Sequence, residues 1–342
     1  MNPYLSIVAA SRNDNHGGDL TNRMEVFLRG LYHQLSQYHL PTEIIIVEWN
    51  PPSDRPGLSA ILPKPPSNGN IILRIITVPY EIHAQYKTSS HLPLFQMIAK
   101  NVGIRRAKAP FILCTNVDLL FSSKLVHFLA SKKLKKGTYY RCNRCDIPKE
   151  IDYSAEIPVL LKFARKNIIQ RLGKNRLYPN FNGQSKWWYH NILTLGMVWG
   201  IALIKRFTES RLTTTIESAD TWACGDFTLM HREDWEKING YFELDAYSIH
   251  IDSLALFAAL GQGIHQKILA PELCIFHISH RAGWELQDPM QKIKFDIQMP
   301  MLDWNTAKAA CEHMLREQVV LPINGPDWGL LGRTLNDTTI TG

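Results

Sequence analysis

One stretch constrains the fold of this chain more than any other, and it runs from Phe95 to Phe121 as FQMIAKNVGIRRAKAPFILCTNVDLLF. Its spacing predicts a helix over Phe95–Lys108, a turn marked by proline, and a buried strand over Phe111–Thr115. The strand continues into Asn116-Val117-Asp118. Open α/β sheets bind ligands beyond the carboxyl ends of their strands, so Asp118 lies where a ligand is expected.

Strands and helices alternate from Tyr4 to Phe121, and this order predicts a mostly parallel α/β sheet with helices on both faces. The predicted strands of this part are Tyr4–Ala10, Glu43–Glu48, Ile71–Val78 and Phe111–Thr115. The predicted helices are Arg23–Gln37, Phe95–Lys108 and Leu125–Lys135. The alternation of strands and helices is interrupted over residues 151–218 and resumes over 219–300. The chain then ends in a helix and a Gly/Pro/Thr-rich tail over 301–342.

The segment 151–218 begins with a basic amphipathic pattern, which places Ile157, Leu161, Ala164, Ile168 and Leu172 on one helical face. Two interpretations of this insert stay open. In one it is a surface helix packed on the core. In the other, residues 157–206 contact a membrane surface, because aromatic and basic residues flank an apolar run that is too short to span a bilayer.

The composition of the chain limits the kind of ligand and the cellular compartment that we expect for it. The chain has 342 residues, 45% of them hydrophobic, and a net charge of +7, which fits a globular protein with an anionic ligand. The basic residues do not interleave with aromatic ones as in a nucleic-acid stacking platform, so nucleic acid is not expected. The sequence shows neither a secretory leader nor a disulfide framework among its six cysteines. This favours a reduced protein without disulfides that lies in the cytoplasm or on the inner face of a membrane.

Four polar clusters follow predicted strands and are expected to converge at one sheet edge. They are Ser11–Asp19, Glu48-Trp49-Asn50, Asn116-Val117-Asp118 and His277–His280. One such cluster is weak evidence, since strand-end loops are polar for solubility. Four together favour a pocket for a nucleotide diphosphate.

These motifs resemble glycosyltransferases of the GT-A fold, particularly family-2-like enzymes. The matching pieces are SIVAASRN, EIIIVEWNPP, the central stretch to Asp118, GDFTLMHREDWEKINGY, HIDS and CIFHISHRAGW. The resemblance implies transfer of a sugar from a nucleotide donor, most simply a UDP-sugar, to a hydroxyl of a saccharide or lipid-linked acceptor. The resemblance also implies that residues 1–150 form the nucleotide-sugar-binding half of one domain, and that residues 219–300 form its acceptor and catalytic half.

Carried over by motif, the resemblance implies a set of donor-binding residues. They are Ser11, Arg12, Asn13 and Glu48 at the nucleoside, and Asn101, Arg105, Asn116 and Asp118 toward the diphosphate. Trp328, in the tail motif Asp327-Trp328-Gly329-Leu330, either closes over the donor as a lid or anchors the tail by packing.

The resemblance also implies a divalent metal, Mn²⁺ or Mg²⁺, held by Asp118. The family's two-carboxylate motif is Asn116-Val117-Asp118 here, so one carboxylate is missing. His277 or His280 is expected to complete the site, and the sequence does not choose between them.

The implied catalytic base is Asp252, which would take the proton of the acceptor hydroxyl during direct displacement with inversion. Asp252 also suits the N-terminus of the helix that follows it. Asp226 is the competing carboxylate. Ile251 stands where the family has a first acidic residue, so a second carboxylate is missing. The two missing carboxylates leave a second hypothesis open, a non-catalytic nucleotide-sugar-binding or scaffold protein. A nucleotidyltransferase is disfavoured because the first loop lacks a Gly-rich, Lys-containing pyrophosphate motif.

Overall fold

The computed structural model describes residues 2–67, 69–173, 219–280 and 300–342. The strands are β1 (Leu5–Ser11), β2 (Thr42–Trp49), β3 (Ile71–Val78), β4 (Phe111–Thr115), β5 (Leu119–Phe121), β6 (Thr138–Arg141), β7 (Arg144–Ile147), β8 (Gln170–Leu172), β9 (Phe227–His231), β10 (His265–Ile268), β11 (Ile275–Ile278) and β12 (Asn336–Ile340). The helices are α1 (Leu20–Gln37), α2 (Leu58–Ile61), α3 (Tyr80–His83), α4 (Gln96–Arg106), α5 (Ser123–Ala130), α6 (Ile157–Lys166), α7 (Arg232–Lys237), α8 (Ile251–Gly261), α9 (Trp304–Glu317) and a 3₁₀ turn at Trp328–Leu330.

The central sheet has eight strands in the order β10-β6-β9-β4-β1-β2-β3-β12. Strands β3, β2, β1 and β4 are parallel neighbours, while β9 and β12 run antiparallel to the strands beside them. The predicted α/β fold with a mostly parallel sheet is confirmed. A smaller sheet of order β5-β11-β7-β8 lies beside it.

Both faces of the central sheet are covered by helices, which explains the continuous apolar runs in its parallel strands. Successive residues of β1 point to opposite faces: Val8 belongs to the core formed with α4, α8 and α9, and Ile7 to the core formed with α1 and α5. In β2, Val47 and Ile46 divide in the same way. Helices on both faces, as predicted, follow from this alternation.

Helix α4 approaches β1 so closely that a side chain at Gly103 would not fit. A Cβ at this position would lie 2.4 Å from Cγ1 of Val8 and 3.3 Å from Cγ2 of Val47, and both valines are fully buried. We expect Gly103→Ala to destabilise the fold by about 1–3 kcal/mol, because overpacking outweighs the helix propensity of alanine. Urea unfolding measures this, and Gly325→Ala, with nothing within 4 Å of its Cβ, is the control. Equal stability of the two variants would contradict the close approach.

Several predicted boundaries are wrong. The amphipathic helix predicted to reach Leu172 ends at Lys166, and residues 170–172 form strand β8 instead. The strand predicted over Ile268–Phe276 is two strands in different sheets, β10 and β11. Within the loop predicted over Pro52–Asn70, residues 58–61 form the short helix α2.

The tail is packed rather than loose. Strand β12 pairs antiparallel with β3, from Asn336 opposite Thr77 to Ile340 opposite Leu73. Arg74 in β3 also forms ion pairs with Glu43 and Asp337. The tail therefore completes the edge of the central sheet.

The start of the insert packs on the core. Helix α6 buries Ile157, Leu160, Leu161 and Ala164 in a cluster with β7, β11 and Val26 of α1. This supports the packed-helix interpretation for 157–166. Most of the segment predicted to contact a membrane, residues 174–206, lies outside the described residues.

Two further expectations concern cysteines and membrane spans. All six cysteines lie within the described ranges, are buried and are free thiols, as the absence of a framework predicted. None of the helices in the described ranges is both long and apolar enough to cross a bilayer.

Candidate active site

Three predicted metal ligands meet beyond the carboxyl end of β4. Asp118, His277 and His280 each present a ligating atom, and these atoms all lie within 4.8 Å of one another. Oδ2 of Asp118 is 3.0 Å from Nε2 of His280 and 3.7 Å from Nε2 of His277. Both histidines therefore lie at Asp118, and either could join it as a metal ligand.

The second sheet brings the histidines to Asp118. Strand β5 begins at Leu119, directly after Asp118, and pairs antiparallel with β11 so that Leu119 is opposite His277. The amide N–H of Ile278 donates to the carbonyl oxygen of Asp118 at 3.1 Å. The expectation that His277–His280 extend the same sheet edge as the other clusters is wrong, because they arrive from this smaller sheet.

A buried cation, Arg23 of α1, closes the cluster from the first loop. Its Nη1 lies 3.1 Å from Oδ2 of Asp118, and its side chain is 1% exposed. Its Nη2 donates to the carbonyl oxygens of His16 and Gly18 at 2.5 and 3.0 Å. Arg23 thus ties the loop after β1 to the carboxylate after β4.

A chain of charged contacts runs from His277 toward the second candidate carboxylate. Nδ1 of His277 is 3.0 Å from Oδ1 of Asp146, and Arg144 donates to that same oxygen at 2.6 Å. Arg144 also donates to Oδ2 of Asp226 at 2.8 Å, and Asn116 donates to Oδ1 of Asp226 at 2.5 Å. Both oxygens of Asp226 are therefore engaged by donors.

A buried lysine joins this chain to Asp252. Nζ of Lys100 donates to Oδ1 of Asn116 at 2.9 Å and to the carbonyl oxygen of Gly225 at 2.7 Å. The N–H of Gly225 donates to Oδ2 of Asp252 at 2.8 Å, and the N–H of Ser253 to its Oδ1 at 2.9 Å. Asp252 is half-buried in the first turn of α8, so its oxygens retain lone pairs that can face a ligand.

The charges of the Asp118 cluster shift one another's protonation. Burial acts to raise the pKa of Asp118, but hydrogen bonds and charge from His277 and His280 hold it well below its usual value. Burial acts to lower the pKa of His277, but its hydrogen bonds to Asp118 and Asp146 raise it to about 9. His277 is therefore cationic near neutral pH. The ring nitrogen that faces Asp118, Nε2, must lose its proton before it can bind a metal.

The predicted nucleoside residues lie together at the ends of β1 and β2. Ser11 and Glu48 are direct partners in the parallel register. Arg12 lies 3.5 Å from Asp14, and its buried Nε has no hydrogen-bond partner within the described ranges. Asn13 donates to the carbonyl oxygen of Pro56 at 3.0 Å.

The Glu48 carboxylate also has a structural role. Its Oε1 accepts the N–H of Leu58 at 2.8 Å, at the start of α2. Burial raises the pKa of Glu48, and the hydrogen bonds from Leu58 and Thr77 act against that rise. The carboxylate therefore holds the loop that follows β2 against the end of β1.

Asn101, Arg105 and Trp328 lie in a separate packed group. Asn101 is fully buried and donates to the carbonyl oxygen of Tyr241 at 2.7 Å and to Glu243 at 2.9 Å. The guanidinium of Arg105 lies 4.6 Å from the ring centre of Trp328, which is 3% exposed. These contacts join α4 to the tail and favour the packing role that the sequence left open for Trp328 over a lid.

The residues around Asp118 fit a divalent metal in their donor chemistry. Oδ1 of Asp118 is buried, and no described residue gives it a hydrogen bond. Two imidazoles and a carboxylate form a three-ligand set, and Asp146 orients one imidazole through its second nitrogen, as is usual for metal-bound histidine. The Arg23 guanidinium would compete with a metal ion for the same carboxylate.

Four residues of this network were missed from the sequence: Arg23, Lys100, Arg144 and Asp146. Arg23 had a signal, because it lies at helical spacing with the apolar residues Leu20 and Phe27 of α1. Lys100 is the charged residue within the fully buried stretch 97–104 of α4. Arg144 and Asp146 are in a short strand with no distinctive pattern.

No protein-family model and no curated protein matches the chain. Among solved structures, the catalytic domain of Drosophila β1,4-galactosyltransferase 7 in complex with xylobiose matches over 85% of this chain and 79% of that chain, with 10% sequence identity and a TM-score of 0.35. The likeness is weak.

Proposed function

We propose that this protein is a glycosyltransferase that moves a sugar from a nucleotide-diphosphate donor to a hydroxyl group of a saccharide or lipid-linked acceptor. The observation that carries the proposal is the meeting of Asp118, His277 and His280 beyond β4, next to the paired ends of β1 and β2. This arrangement would place a metal-bound diphosphate beside the nucleoside residues Ser11 and Arg12.

The proposed metal ligands are Asp118, His277 and His280. A bound divalent cation would stabilise the negative charge of the leaving diphosphate. Transition-metal ions, Mn²⁺ among them, accept imidazole nitrogens more readily than Mg²⁺, which prefers oxygen ligands. This donor set therefore favours Mn²⁺ over Mg²⁺ among the two metals expected from the sequence.

The proposed base is Asp252. It would accept the proton of the acceptor hydroxyl while that oxygen bonds to the anomeric carbon and the bond from that carbon to the diphosphate oxygen breaks, with inversion. Asp226 is less suited, because Arg144 and Asn116 occupy both of its oxygens. We assign Asp226 and Lys100 to positioning Asn116 and the backbone at Gly225.

Asp146 would be a positioning residue for the metal site. We expect Asp146→Asn to weaken Mn²⁺ binding by about 10–100-fold, since the variant loses the charged acceptor that orients His277. Isothermal titration with Mn²⁺ measures this loss. Asp152→Asn changes an exposed carboxylate of the same type and should bind as the unmodified protein does. Unchanged binding by Asp146→Asn would remove Asp146 from the site.

The function is tested by titrating a panel of nucleotide sugars in the presence of Mn²⁺ and then assaying sugar transfer and donor hydrolysis. The proposal predicts binding of at least one donor, turnover of that donor, and loss of both in Asp118→Ala. No binding across the panel, or binding that Asp118→Ala leaves unchanged, would contradict it.

A second candidate is a nucleotide-sugar-binding protein without catalysis. The specific observation in its favour is that Asp226 is fully engaged and that Asp252 already accepts two backbone N–H groups. It predicts donor binding that depends on Asp118, with neither transfer nor donor hydrolysis. The same panel therefore separates the two candidates.

A further inference from the structure

Two tryptophans in the described part of the chain are exposed, and both are attached to the elements that hold Asp252. Trp222 is 47% exposed and Trp304 is 55% exposed. The other described tryptophans are buried in the core, as is usual for this residue type, namely Trp49, Trp235 and Trp328. A single exposed aromatic side chain is ordinary on a protein surface. Two of them at one candidate catalytic carboxylate favour a role in binding.

Trp222 is carried by a loop that a buried arginine holds in place. Arg141 is fully buried, and its guanidinium donates to the carbonyl oxygens of Trp222 and Cys224 at 2.6 and 3.4 Å. Gly225 follows in the same loop, and its N–H donates to Oδ2 of Asp252 at 2.8 Å. Three residues of chain span at most about 11 Å, so this loop keeps Trp222 close to the carboxylate.

Trp304 is fixed beside the residue that precedes α8. Its ring centre lies 5.2 Å from that of His250, at an interplanar angle of 53°. His250 is the N-cap of α8, and Asp252 is in the first turn of that helix. The segment before Trp304 is held to the same loop, since the N–H of Tyr247 donates to the carbonyl oxygen of Pro300 at 2.6 Å. Trp304 is therefore attached to the start of the helix that carries Asp252.

We propose that Trp222 and Trp304 bind the sugar rings of an oligosaccharide acceptor whose reacting ring lies at Asp252. The face of a sugar ring that carries C–H groups is apolar and stacks on an indole, while its hydroxyl groups stay in water. Trp304 stacks against His250 rather than against the carboxylate, so a sugar on Trp304 would be a neighbour of the reacting sugar. The acceptor would then have at least two rings. Its identity as an acceptor rests on the proposed function, whereas saccharide binding at the two tryptophans does not.

An array of immobilised monosaccharides and oligosaccharides, probed with the fluorescently labelled full chain, tests this site without donor or turnover. We expect binding to at least one oligosaccharide, and weaker binding to its constituent monosaccharides. Trp222→Ala and Trp304→Ala should each weaken that binding by about tenfold, the equivalent of one aromatic stacking contact. Trp304→Tyr keeps an aromatic ring and should retain most of the binding.

Tyr38→Ala is the matched control. Tyr38 is also an exposed aromatic residue, and its ring centre lies 5.4 Å from that of a histidine, His127. It is the C-cap of α1, at the opposite end of that helix from Arg23 and the Asp118 cluster. The variant should therefore bind the array as the unmodified protein does.

The array and the transfer assay separate this proposal from the proposed function. In the transfer assay, the two alanine variants should raise the KM of the acceptor more than they lower kcat, as loss of uniform binding does. Array binding without any transfer would contradict the proposed function and leave the saccharide site standing. The saccharide site would be overturned by no binding to any oligosaccharide, by monosaccharides bound as tightly, or by a tryptophan variant that binds as Tyr38→Ala does.

Discussion

Asp252→Asn is expected to lower the rate of sugar transfer by about 10²–10⁴-fold, the usual contribution of a general base. Asparagine keeps the size of the side chain and an oxygen for the N–H of Gly225 or Ser253, but it cannot take a proton from the acceptor. Donor binding should therefore survive. Single-turnover rates and donor titrations on the same sample measure the two effects separately.

The comparison variants for Asp252 are Asp226→Asn and Asp152→Asn. Asp152 is exposed and should have no effect. Asp226→Asn breaks the ion pair with Arg144, so it should reduce donor binding as well as rate. If Asp252→Asn retained the full rate while Asp226→Asn lost only the rate, the base would be Asp226 and our assignment would be wrong.

Glu43→Gln is expected to destabilise the fold by about 3–5 kcal/mol, the range for breaking one side of a buried ion pair. Glu43 is fully buried, and its Oε2 accepts from Nη1 of Arg74 at 2.8 Å. Its Oε1 accepts from Ser6, at 2.5 Å, and from the N–H of Lys108. Every partner is a donor, so either orientation of a glutamine amide sets a donor against a donor and leaves Arg74 without its buried countercharge.

Urea unfolding followed by circular dichroism measures this loss. Glu312→Gln is the matched control, because Glu312 is an exposed residue 3.8 Å from Lys308 on α9, and its change should stay within about 0.5 kcal/mol. A loss below about 1 kcal/mol for Glu43→Gln would show that the buried ion pair between β2 and β3 is not needed for stability.

The parallel half of the fold could be predicted because its signals are local. Buried parallel strands are continuous apolar runs, and Ile71–Val78 and Phe111–Thr115 have the same bounds in the structure as in the prediction. Asp118 was placed correctly beyond β4 because strand order alone puts it there. The expectation of free thiols followed equally directly from cysteine spacing.

The rest of the fold and of the candidate site depends on pairing between segments that are distant in sequence, and no local pattern encodes such pairing. The apolar run that was predicted as one strand, Ile268–Phe276, is divided between two sheets, and this division places His277 opposite Leu119. The tail was predicted as a Gly/Pro/Thr-rich segment, yet its residues Asn336–Ile340 form an edge strand that pairs with β3 alone. Arg144 and Asp146 lie in β7 of the same smaller sheet, and this sheet brings them to the candidate site.

The structure also gives a physical reason for an asparagine at position 116. A second carboxylate there would lie beside Asp226, whereas asparagine donates to Asp226 and accepts from Lys100. The missing carboxylate of the motif is thus compatible with an intact polar network. In the proposed metal site, the two histidines of the smaller sheet would supply the ligands that the motif lacks.

Anomalous diffraction at the manganese edge, from crystals grown with Mn²⁺ and UDP, tests the central claim most directly. The account predicts one peak bonded to Asp118, His277 and His280, with the diphosphate of UDP on its open side and the nucleoside at Ser11 and Arg12. A peak elsewhere, or UDP bound beyond β1 and β4 with no metal at these three residues, would contradict it.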